Sequence, residues 1–505
     1  MEACLCSKPV LRVQSKQVFL PFAVAPSVSS CNRHIRSSRP PFPASKHRQV
    51  DQRRQAHTKR NVSSTASTIS EADPLPTAMA VSRPLSCLRL SALIRSYLIT
   101  SVSSIPFLLR PSLSVMTFLA HTKSPVFMPD RNPILHFLLK KTFYAQFCAG
   151  ETPAEVRTTI SDLKDTGYRG VILGHANEVV LTKEEAEGLD ASTESLDQAA
   201  LHADEIAIWR RNTVATVDLA QEGDFVALKF TGAGRQALQH LKATIACSPE
   251  FENAVHEICQ RAQQKGVKLL FDAEQASLQQ GIDNWTMYFA KIYNKERALV
   301  YGTYQAYARK TPQNLARHLE TARKENFVLG IKLVRGAYLG SDPRELFWPT
   351  IEETHACYNG IAKAVLQRQY QGILQPVEGG SSDFPRVSLV LATHNAESVR
   401  LAVAIRDEQA RNALPRIELA YGQLMGMADN VSCEVLQTAR VRAESSDANV
   451  EIPRAYKYLV WGKMGECMKY LLRRAQENRD AVTRTVEARR ALGSELGSRL
   501  AFWKS

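Results

Sequence analysis

Residues 327–338 read FVLGIKLVRGAY, an apolar run of strand-forming residues that also carries two cations, Lys332 and Arg335. A short run rich in aliphatic and β-branched residues predicts a buried strand. Lysine and arginine are seldom buried without a partner of opposite charge. Gly336 and Ala337 then leave room for the close approach of a flat or phosphate-bearing ligand. The run therefore predicts a strand that ends at a binding site for an anionic ligand.

Seven further strand-like runs lie on either side of it. They are 170–174, 225–230, 268–273, 299–307, 386–394, 416–426 and 454–462. Helical patterns lie between them, for example at 253–265, 311–326 and 397–412. Alternating strands and helices predict a parallel sheet that helices cover. Because eight strands close a barrel, the predicted fold is α/β, a distorted (βα)8 TIM-like barrel with an N-terminal helical extension; a doubly wound sheet is the alternative.

In such a barrel the active site lies at the carboxyl ends of the strands. Polar residues stand at or near almost every predicted strand end. In chain order they are Lys229, Asp272, Gln305, Lys332 with Arg335, Thr393 with His394 and Asn395, Gln423, and Tyr458. A barrel mouth is wet and collects polar residues in any case, but a ring this regular indicates a binding site.

The last predicted helix, 463–478, carries a second group of polar residues. The spacing i, i+3, i+4 and i+7 places Tyr470, Arg473, Arg474 and Glu477 on one face. Two adjacent arginines can hold a small carboxylate by charge-assisted, bidentate hydrogen bonds. The alternative is a solvated helix face with an ordinary arginine–glutamate pair, which is common for this sequence pattern.

Most of the net charge of +14 on the 505 residues lies near the N-terminus. Residues 1–70 hold twelve Lys or Arg and two acids, a net +10, which leaves +4 for the remainder. The body therefore lacks the basic surface that a nucleic-acid groove needs, and no nucleic-acid partner is expected. Residues 1–75, rich in Arg, Ser and Pro, are predicted to be a mitochondrial transit peptide or a disordered tail.

The other predicted divisions are a helical N-terminal region at 76–165, the barrel at 166–485 and a C-terminal tail at 486–505. In the N-terminal region the longest uncharged run, 96–109, has 14 residues and contains a proline, whereas a membrane-spanning helix needs about 20 apolar residues. Helices packed on the barrel and contact with a membrane surface both stay open. The ten cysteines form no CxxC pair and no HExxH sequence occurs, so no metal site is predicted.

Seven sequence blocks resemble the proline dehydrogenases, particularly the eukaryotic mitochondrial form. They are FDAEQ (271–275), YQAY (304–307), KLVRGAY (332–338), ATHN (392–395), GQLMGM (422–427), KYLVWG (457–462) and YLLRRAQEN (470–478). The resemblance implies non-covalently bound FAD and oxidation of L-proline to Δ1-pyrroline-5-carboxylate by hydride transfer to flavin N5. It also implies a quinone as electron acceptor and a location on the matrix side of the inner mitochondrial membrane.

The resemblance also implies a role for each matching residue. Arg473 and Arg474 would bind the proline carboxylate. The rest of the substrate pocket would consist of Lys229, Asp272, Leu424, Tyr458 and Tyr470. The positions implied to contact FAD are Gln305, Lys332, Val334, Arg335, Gly336, Ala337, Thr393, His394, Asn395, Gln423 and Glu477.

This sequence departs from the family pattern in the first strand, where His175 and Asn177 stand in place of an expected tyrosine and lysine. Leu339 also stands where bacterial relatives carry an aromatic residue. Two other functions remain as alternatives. One is a hydroxyproline dehydrogenase, which Tyr458 disfavours because its ring would crowd the substrate hydroxyl. The other is a catalytically inactive, membrane-associated barrel.

Overall fold

The computed structural model describes residues 83–122, 124–176, 196–445, 450–480 and 482–502. The predicted transit peptide or tail at 1–75 therefore lies outside the described residues, and so does Asn177.

Parallel strands form a closed barrel. The strands are β1 Cys148–Gly150, β2 Gly170–His175, β3 Phe225–Leu228, β4 Lys268–Phe271, β5 Val300–Gln305, β6 Leu329–Val334, β7 Val387–Ala392, β8 Glu418–Leu424 and β9 Ala455–Trp461. From β2 to β9 each strand pairs with the next along the chain, and β9 also pairs with β2. This closure confirms the predicted eight-stranded barrel and excludes the doubly wound sheet. The short β1, which the sequence did not predict, lies beside the end of β9.

Helices surround the barrel and extend it at both ends. They are α1 Leu90–Ser104, α2 Pro106–His121, α3 Pro133–Leu139, α4 Pro153–Thr166, α5 Leu196–Leu219, α6 Arg235–Ala243, α7 Pro249–Lys265, α8 Ala276–Tyr293, α9 Thr311–Lys324, α10 Ile351–Gln367, α11 Ala396–Arg411, α12 Asp429–Glu444, α13 Met464–Asp480 and α14 Val482–Phe502. Short helical turns occur at Pro84–Cys87, Lys140–Tyr144, Ala145–Phe147, Phe230–Ala233 and Arg344–Leu346.

Local sequence signals set the ends of these helices. Thr350 and Glu353 form a capping box at the start of α10, each side chain accepting a hydrogen bond from the other residue's backbone N–H. The side chain of Ser248 caps α7 in the same position, and α7 ends at Gly266, whose φ is +64°. A glycine in the left-handed region is a common helix terminator because it lacks a Cβ.

Aromatic side chains fill the barrel near the amino ends of its strands. The ring of Phe225, the first residue of β3, lies edge-on to the rings of Tyr301 and Tyr456, with centroids 5.6 and 5.1 Å apart. Leu270 and Val390 are fully buried in the same cluster. Since side chains fill the barrel near the amino ends of its strands, we expect the ligand site toward their carboxyl ends, as in other barrels of this kind.

The N-terminal helices pack on the barrel together with α14. Leu93 of α1 and Leu492 of α14 are buried in one cluster with Cys433 of α12, and Arg83 forms an ion pair with Glu495. The segment 486–505 was predicted to be a C-terminal tail, but residues 486–502 belong to α14. No single described helix is long and apolar enough to cross a membrane. The helices α1 and α2 reach the needed length and apolar composition only when taken together, and the chain bends by 100° between them.

Candidate active site

A cavity of about 670 Å³ opens at the carboxyl ends of the barrel strands. Its wall consists of the last residues of the strands and the residues that follow them. Lys229 follows β3, Asp272 follows β4, Gln305 ends β5 and Leu424 ends β8. The volume lies within the range of small-molecule sites, roughly 300–1,000 Å³.

Sixteen of the eighteen predicted site residues line this cavity. They are Lys229, Asp272, Gln305, Lys332, Val334, Arg335, Gly336, Ala337, Thr393, His394, Gln423, Leu424, Tyr458, Tyr470, Arg473 and Arg474. Asn395 lies outside the lining, because its Oδ1 accepts a hydrogen bond from the backbone N–H of Ser398 and caps α11. Glu477 belongs to α13, but its side chain lies outside the described residues.

An ion pair between two barrel strands occupies the inner wall of the cavity. Lys332 Nζ lies 2.5 Å from Asp272 Oδ1, and both residues are more than nine-tenths buried. Tyr458 Oη is 3.4 Å from the other oxygen of Asp272, and Lys332 Nζ lies 5.5 Å from the centroid of the Tyr458 ring. The sequence predicted an anionic ligand as the partner of the buried lysine. In the structure a carboxylate of the protein already contacts it, so a ligand here would meet a positioned lysine–aspartate pair.

The second cation of β6 is fixed in orientation by neutral partners. Arg335 donates hydrogen bonds to Thr393 Oγ1 at 2.6 Å, to Ser398 Oγ at 2.9 Å and to His355 Nδ1 at 3.1 Å. Its guanidinium carbon lies 4.4 Å from the centroid of the Tyr358 ring. These contacts with α10, α11 and the end of β7 hold the plane of the guanidinium group against the cavity wall.

Side-chain contacts also join the ends of β7 and β8. The backbone N–H of Leu424 donates to His394 Nε2 at 3.2 Å, so that nitrogen carries a lone pair and the neutral imidazole has its proton on Nδ1. The buried Gln423 donates to the carbonyl of Thr393 and accepts a hydrogen bond from Ser432 Oγ. This part of the wall is therefore rigidly positioned.

Gly336 occupies a position that has no space for a side chain. Its φ is +146°, and a Cβ built on it would overlap the ring of Tyr307. That ring packs against Phe347, with centroids 4.1 Å apart. The backbone of residues 335–337 therefore lies directly against the cavity, as the sequence predicted for a glycine in this place.

We expect Gly336→Ala to disrupt both the fold and the cavity, because the methyl group can enter only if Tyr307 and its neighbours move. The free energy of unfolding should fall by about 2–3 kcal/mol, measured by denaturant titration. Gly340→Ala is the matched control, because nothing lies within 4 Å of an added Cβ at Gly340. Equal stability of the two variants would contradict the close approach described for Gly336.

Helix α13 brings the two predicted arginines to the cavity. Arg473 and Arg474 both contribute to its lining, as do Lys332 and His394. Arg474 is only 4% exposed, and its guanidinium carbon lies 5.0 Å from the centroid of the Tyr470 ring. The alternative of a solvated helix face is therefore wrong for Arg474.

Contacts at the start of α13 hold that helix in place. Asp130 Oδ1 accepts a hydrogen bond from the backbone N–H of Gly465 at 2.9 Å, and Glu151 Oε1 accepts one from Met464 at 3.0 Å. Two carboxylates at a helix N-terminus complement the positive end of the helix dipole. Burial of Met468 and Leu471 against α2 completes the support.

Comparison with known proteins agrees with the sequence resemblance. The family model described as proline dehydrogenase matches residues 156–487. The chain belongs to the proline dehydrogenase family. The protein of Schizosaccharomyces pombe named "Probable proline dehydrogenase, mitochondrial" is 29% identical over 69% of this chain and 77% of its own length. Proline dehydrogenase 1, mitochondrial, of Arabidopsis thaliana is 28% identical over 72% of this chain and 75% of its own length.

Another curated relative carries a different substrate in its name. Hydroxyproline dehydrogenase of Rattus norvegicus is 26% identical over 72% of this chain and 83% of its own length. Among solved structures, proline utilization A (PutA) from Bdellovibrio bacteriovorus, inactivated by N-propargylglycine, superposes with a TM-score of 0.53 at 17% identity. The match covers 75% of this chain but only 38% of that one, and it shows a common fold.

Several residues of this family member's cavity were not predicted from the sequence. Trp209, Asn212, Thr213 and Thr216 of α5 face the cavity at helical spacing, and Trp209 Nε1 donates to the carbonyl of Lys229 at 3.1 Å. The predicted site residues lie at strand ends or on the last barrel helix, whereas these four lie on α5. The mixed aromatic and polar face of α5 was the signal that could have revealed them.

His175, which departs from the family pattern, also lines the cavity. Its ring packs edge-on against Trp461, with centroids 5.0 Å apart. Burial lowers the pKa of His175, and the carboxylate of Glu466 partly opposes that shift. The neutral imidazole is consequently favoured at neutral pH.

Proposed function

We propose that this chain oxidises L-proline to Δ1-pyrroline-5-carboxylate with a non-covalently bound FAD in the barrel cavity. The observation that carries the proposal is that the buried Arg474 and its neighbour Arg473 line the same cavity as the paired Lys332 and Asp272. Adjacent guanidinium groups suit a small carboxylate, and a cation deep in the cavity suits a ligand that gains negative charge on reduction.

The cavity has features that fit a flavin dinucleotide. Its volume of about 670 Å³ suits a large ligand. Gly336 exposes backbone to it without a side chain, and Arg335 presents a fixed cation. The residues proposed to hold the cofactor are Gln305, Lys332, Val334, Arg335, Gly336, Ala337, Thr393, His394 and Gln423. We also propose Asn395, through its cap on α11, and Glu477 for this group. When bound, the flavin accepts a hydride at N5.

The protein itself positions the substrate and excludes water. Arg473 and Arg474 bind the carboxylate and so set which face of the proline ring meets the cofactor. Tyr458, Tyr470 and Leu424 form the apolar wall around that ring. Lys229 and Asp272 complete the pocket on its polar side, where the ion pair with Lys332 holds the carboxylate of Asp272 in place.

The electron acceptor and the location belong to the same proposal. Electrons pass to a quinone at the matrix side of the inner mitochondrial membrane. The names of the relatives from S. pombe and A. thaliana include the word mitochondrial, and the basic, acid-poor residues 1–75 are consistent with a transit peptide.

A steady-state assay tests this function. The purified full chain, a water-soluble quinone and L-proline should yield the cyclic imine, detected by mass spectrometry, together with reduced quinone in equal amount. Heat denaturation should release FAD from the protein. A colourless protein that leaves both reactants unchanged would contradict the proposal and favour the inactive barrel.

Tyr458 is proposed to select proline over trans-4-hydroxy-L-proline. Its hydroxyl lies 3.4 Å from Asp272 Oδ2, so the ring is held against the pocket wall. We expect the wild type to have the higher kcat/KM for proline, and Tyr458→Ser to narrow the ratio by about tenfold because space for a ring hydroxyl appears. Tyr458→Phe keeps the ring and should keep the preference. If the wild type instead had the higher kcat/KM for hydroxyproline, the substrate assignment would change to hydroxyproline, the substrate in the name of the rat relative.

A further inference from the structure

Two cysteine side chains meet where the N-terminal turn packs on α12. The Sγ atoms of Cys87, in the turn Pro84–Cys87, and Cys433, in α12, lie 2.7 Å apart. The two residues are 346 positions apart in the sequence, so only the fold brings them together. Because a disulfide bond between sulfur atoms is about 2.05 Å long, a bond here requires a movement of less than about 1 Å.

Hydrogen bonds on both sides of the pair hold the turn against its neighbours. Gln437 of α12 donates to the carbonyl of Arg83 at 2.7 Å and to Ser86 Oγ at 2.9 Å. Arg499 of α14 donates to the carbonyl of Leu85 at 3.2 Å. The turn is therefore fixed on α12 by contacts that do not involve the sulfur atoms, and these contacts keep the two thiols together.

The two thiols differ in exposure and in acidity. Cys87 is half-buried, whereas Cys433 is fully buried. The hydrogen bond with Cys433 lowers the pKa of the Cys87 thiol, although burial and the charge of Asp429 act in the opposite direction. The same hydrogen bond and burial raise the pKa of Cys433. Cys87 is therefore the thiolate that an oxidant can reach, and Cys433 is the neighbouring thiol that can condense with the oxidised product.

The remaining cysteines of the described residues lack this combination. Cys148 and Cys467 are hydrogen-bonded to each other, but both are buried, and burial raises the pKa of Cys148. Cys247 is half-buried, but burial raises its pKa to about 11. Burial likewise raises the pKa of Cys259 and of Cys357, and both of these residues are buried. Within the described part of the chain, a lowered pKa, partial exposure and a second thiol in contact thus occur together at Cys87.

We propose that Cys87 and Cys433 form a reversible disulfide bond, which fastens the N-terminal segment 83–104 to the barrel in the presence of hydrogen peroxide. The Cys87 thiolate attacks one peroxide oxygen and the O–O bond breaks, which gives a sulfenic acid on Cys87 and a hydroxide that is protonated to water. The sulfur of Cys433 then attacks the sulfur of Cys87. The S–O bond breaks, and the hydroxyl group leaves with the proton of the Cys433 thiol as a second water. The two sulfurs together lose two electrons, which the peroxide gains.

A small dithiol reverses the bond by thiol–disulfide exchange, so the pair is a redox-sensitive link and not a permanent one. Such reversible disulfides are the usual kind in reducing compartments. The link does not depend on the proposed function, because it requires neither a flavin nor proline.

Peptide mapping of the full chain tests the link. The protein is reduced with dithiothreitol, desalted, treated with hydrogen peroxide, alkylated and digested without reductant. Mass spectrometry should then show the peptide of Cys87 joined to the peptide of Cys433 in most chains, and dithiothreitol should separate them. Cys247→Ser is the matched control and should form the same link. Cys433→Ala, which keeps the reactive thiolate, should leave a sulfenic acid on Cys87 that dimedone traps.

Thermal unfolding provides a second measurement. Peroxide treatment should raise the Tm of the wild type by roughly 5 °C or more, because the link closes a very long loop of the unfolded chain. It should not raise the Tm of Cys87→Ser. Recovery of Cys87 and Cys433 as free thiols after treatment, or a link from Cys87 to any other cysteine, would overturn the proposal. An equal rise in the Tm of Cys87→Ser would overturn it as well.

Discussion

Arg474→Met is expected to raise the KM for L-proline by about thirtyfold or more while the protein still binds FAD. Arg474 lines the cavity and is 4% exposed. Removing a buried cation that binds a carboxylate costs about 2–5 kcal/mol of binding free energy, and each 1.4 kcal/mol is a factor of ten. Steady-state kinetics and titration of the flavin absorbance with proline measure the effect directly.

Two variants serve as controls for that result. Arg474→Lys keeps the charge but loses the planar fork of donors, so it should recover only part of the affinity. Arg440→Met removes an exposed arginine that pairs with Glu444 on α12, and it should leave KM unchanged. A normal KM in Arg474→Met with full flavin content would show that the carboxylate binds elsewhere.

Lys332→Met is expected to lower both stability and catalysis strongly. The variant leaves the carboxylate of Asp272 buried without its cation. Breaking a buried pair on one side costs about 3–5 kcal/mol, which denaturant titration would detect. The rate of flavin reduction by proline should fall about a hundredfold, because the cation that favours the reduced cofactor is lost.

The double variant Lys332→Met/Asp272→Asn distinguishes stability from chemistry. Removing the second charge relieves the unpaired carboxylate, so the free energy of unfolding should recover in part. Activity should not recover, because the cation is still absent. A double variant less stable than Lys332→Met, or one with restored activity, would contradict the role given to this pair.

Much of the barrel could be predicted because its strands are short, apolar and regularly spaced. The run 327–338 was predicted as one strand, but β6 ends at Val334. Arg335 turns to contact α10 and α11, and Gly336 adopts a φ of +146° against Tyr307. Local sequence cannot predict the long-range contacts that end this strand. The glycine that permits the turn after it could be predicted from the sequence.

Parts of the site that depend on distant contacts could not be predicted. Sequence spacing does not reveal that Asp272, sixty residues away, is the partner of Lys332. The three-residue β1 has too few residues to show alternation. Residues 486–505 were predicted to be a tail, whereas residues 486–502 belong to α14. The local sequence does not show that Leu492 is buried in one cluster with Leu93, which lies some four hundred residues earlier in the chain.

Anaerobic mixing of the purified protein with L-proline is the most direct test of the central claim, that the barrel cavity holds a flavin against an amino acid bound by Arg473 and Arg474. The predicted result is a yellow protein whose visible flavin absorbance is lost on adding L-proline. Prolinamide, which lacks the carboxylate, should reduce the flavin far more slowly. A colourless protein, or a flavin that prolinamide reduces as fast as proline does, would contradict the claim.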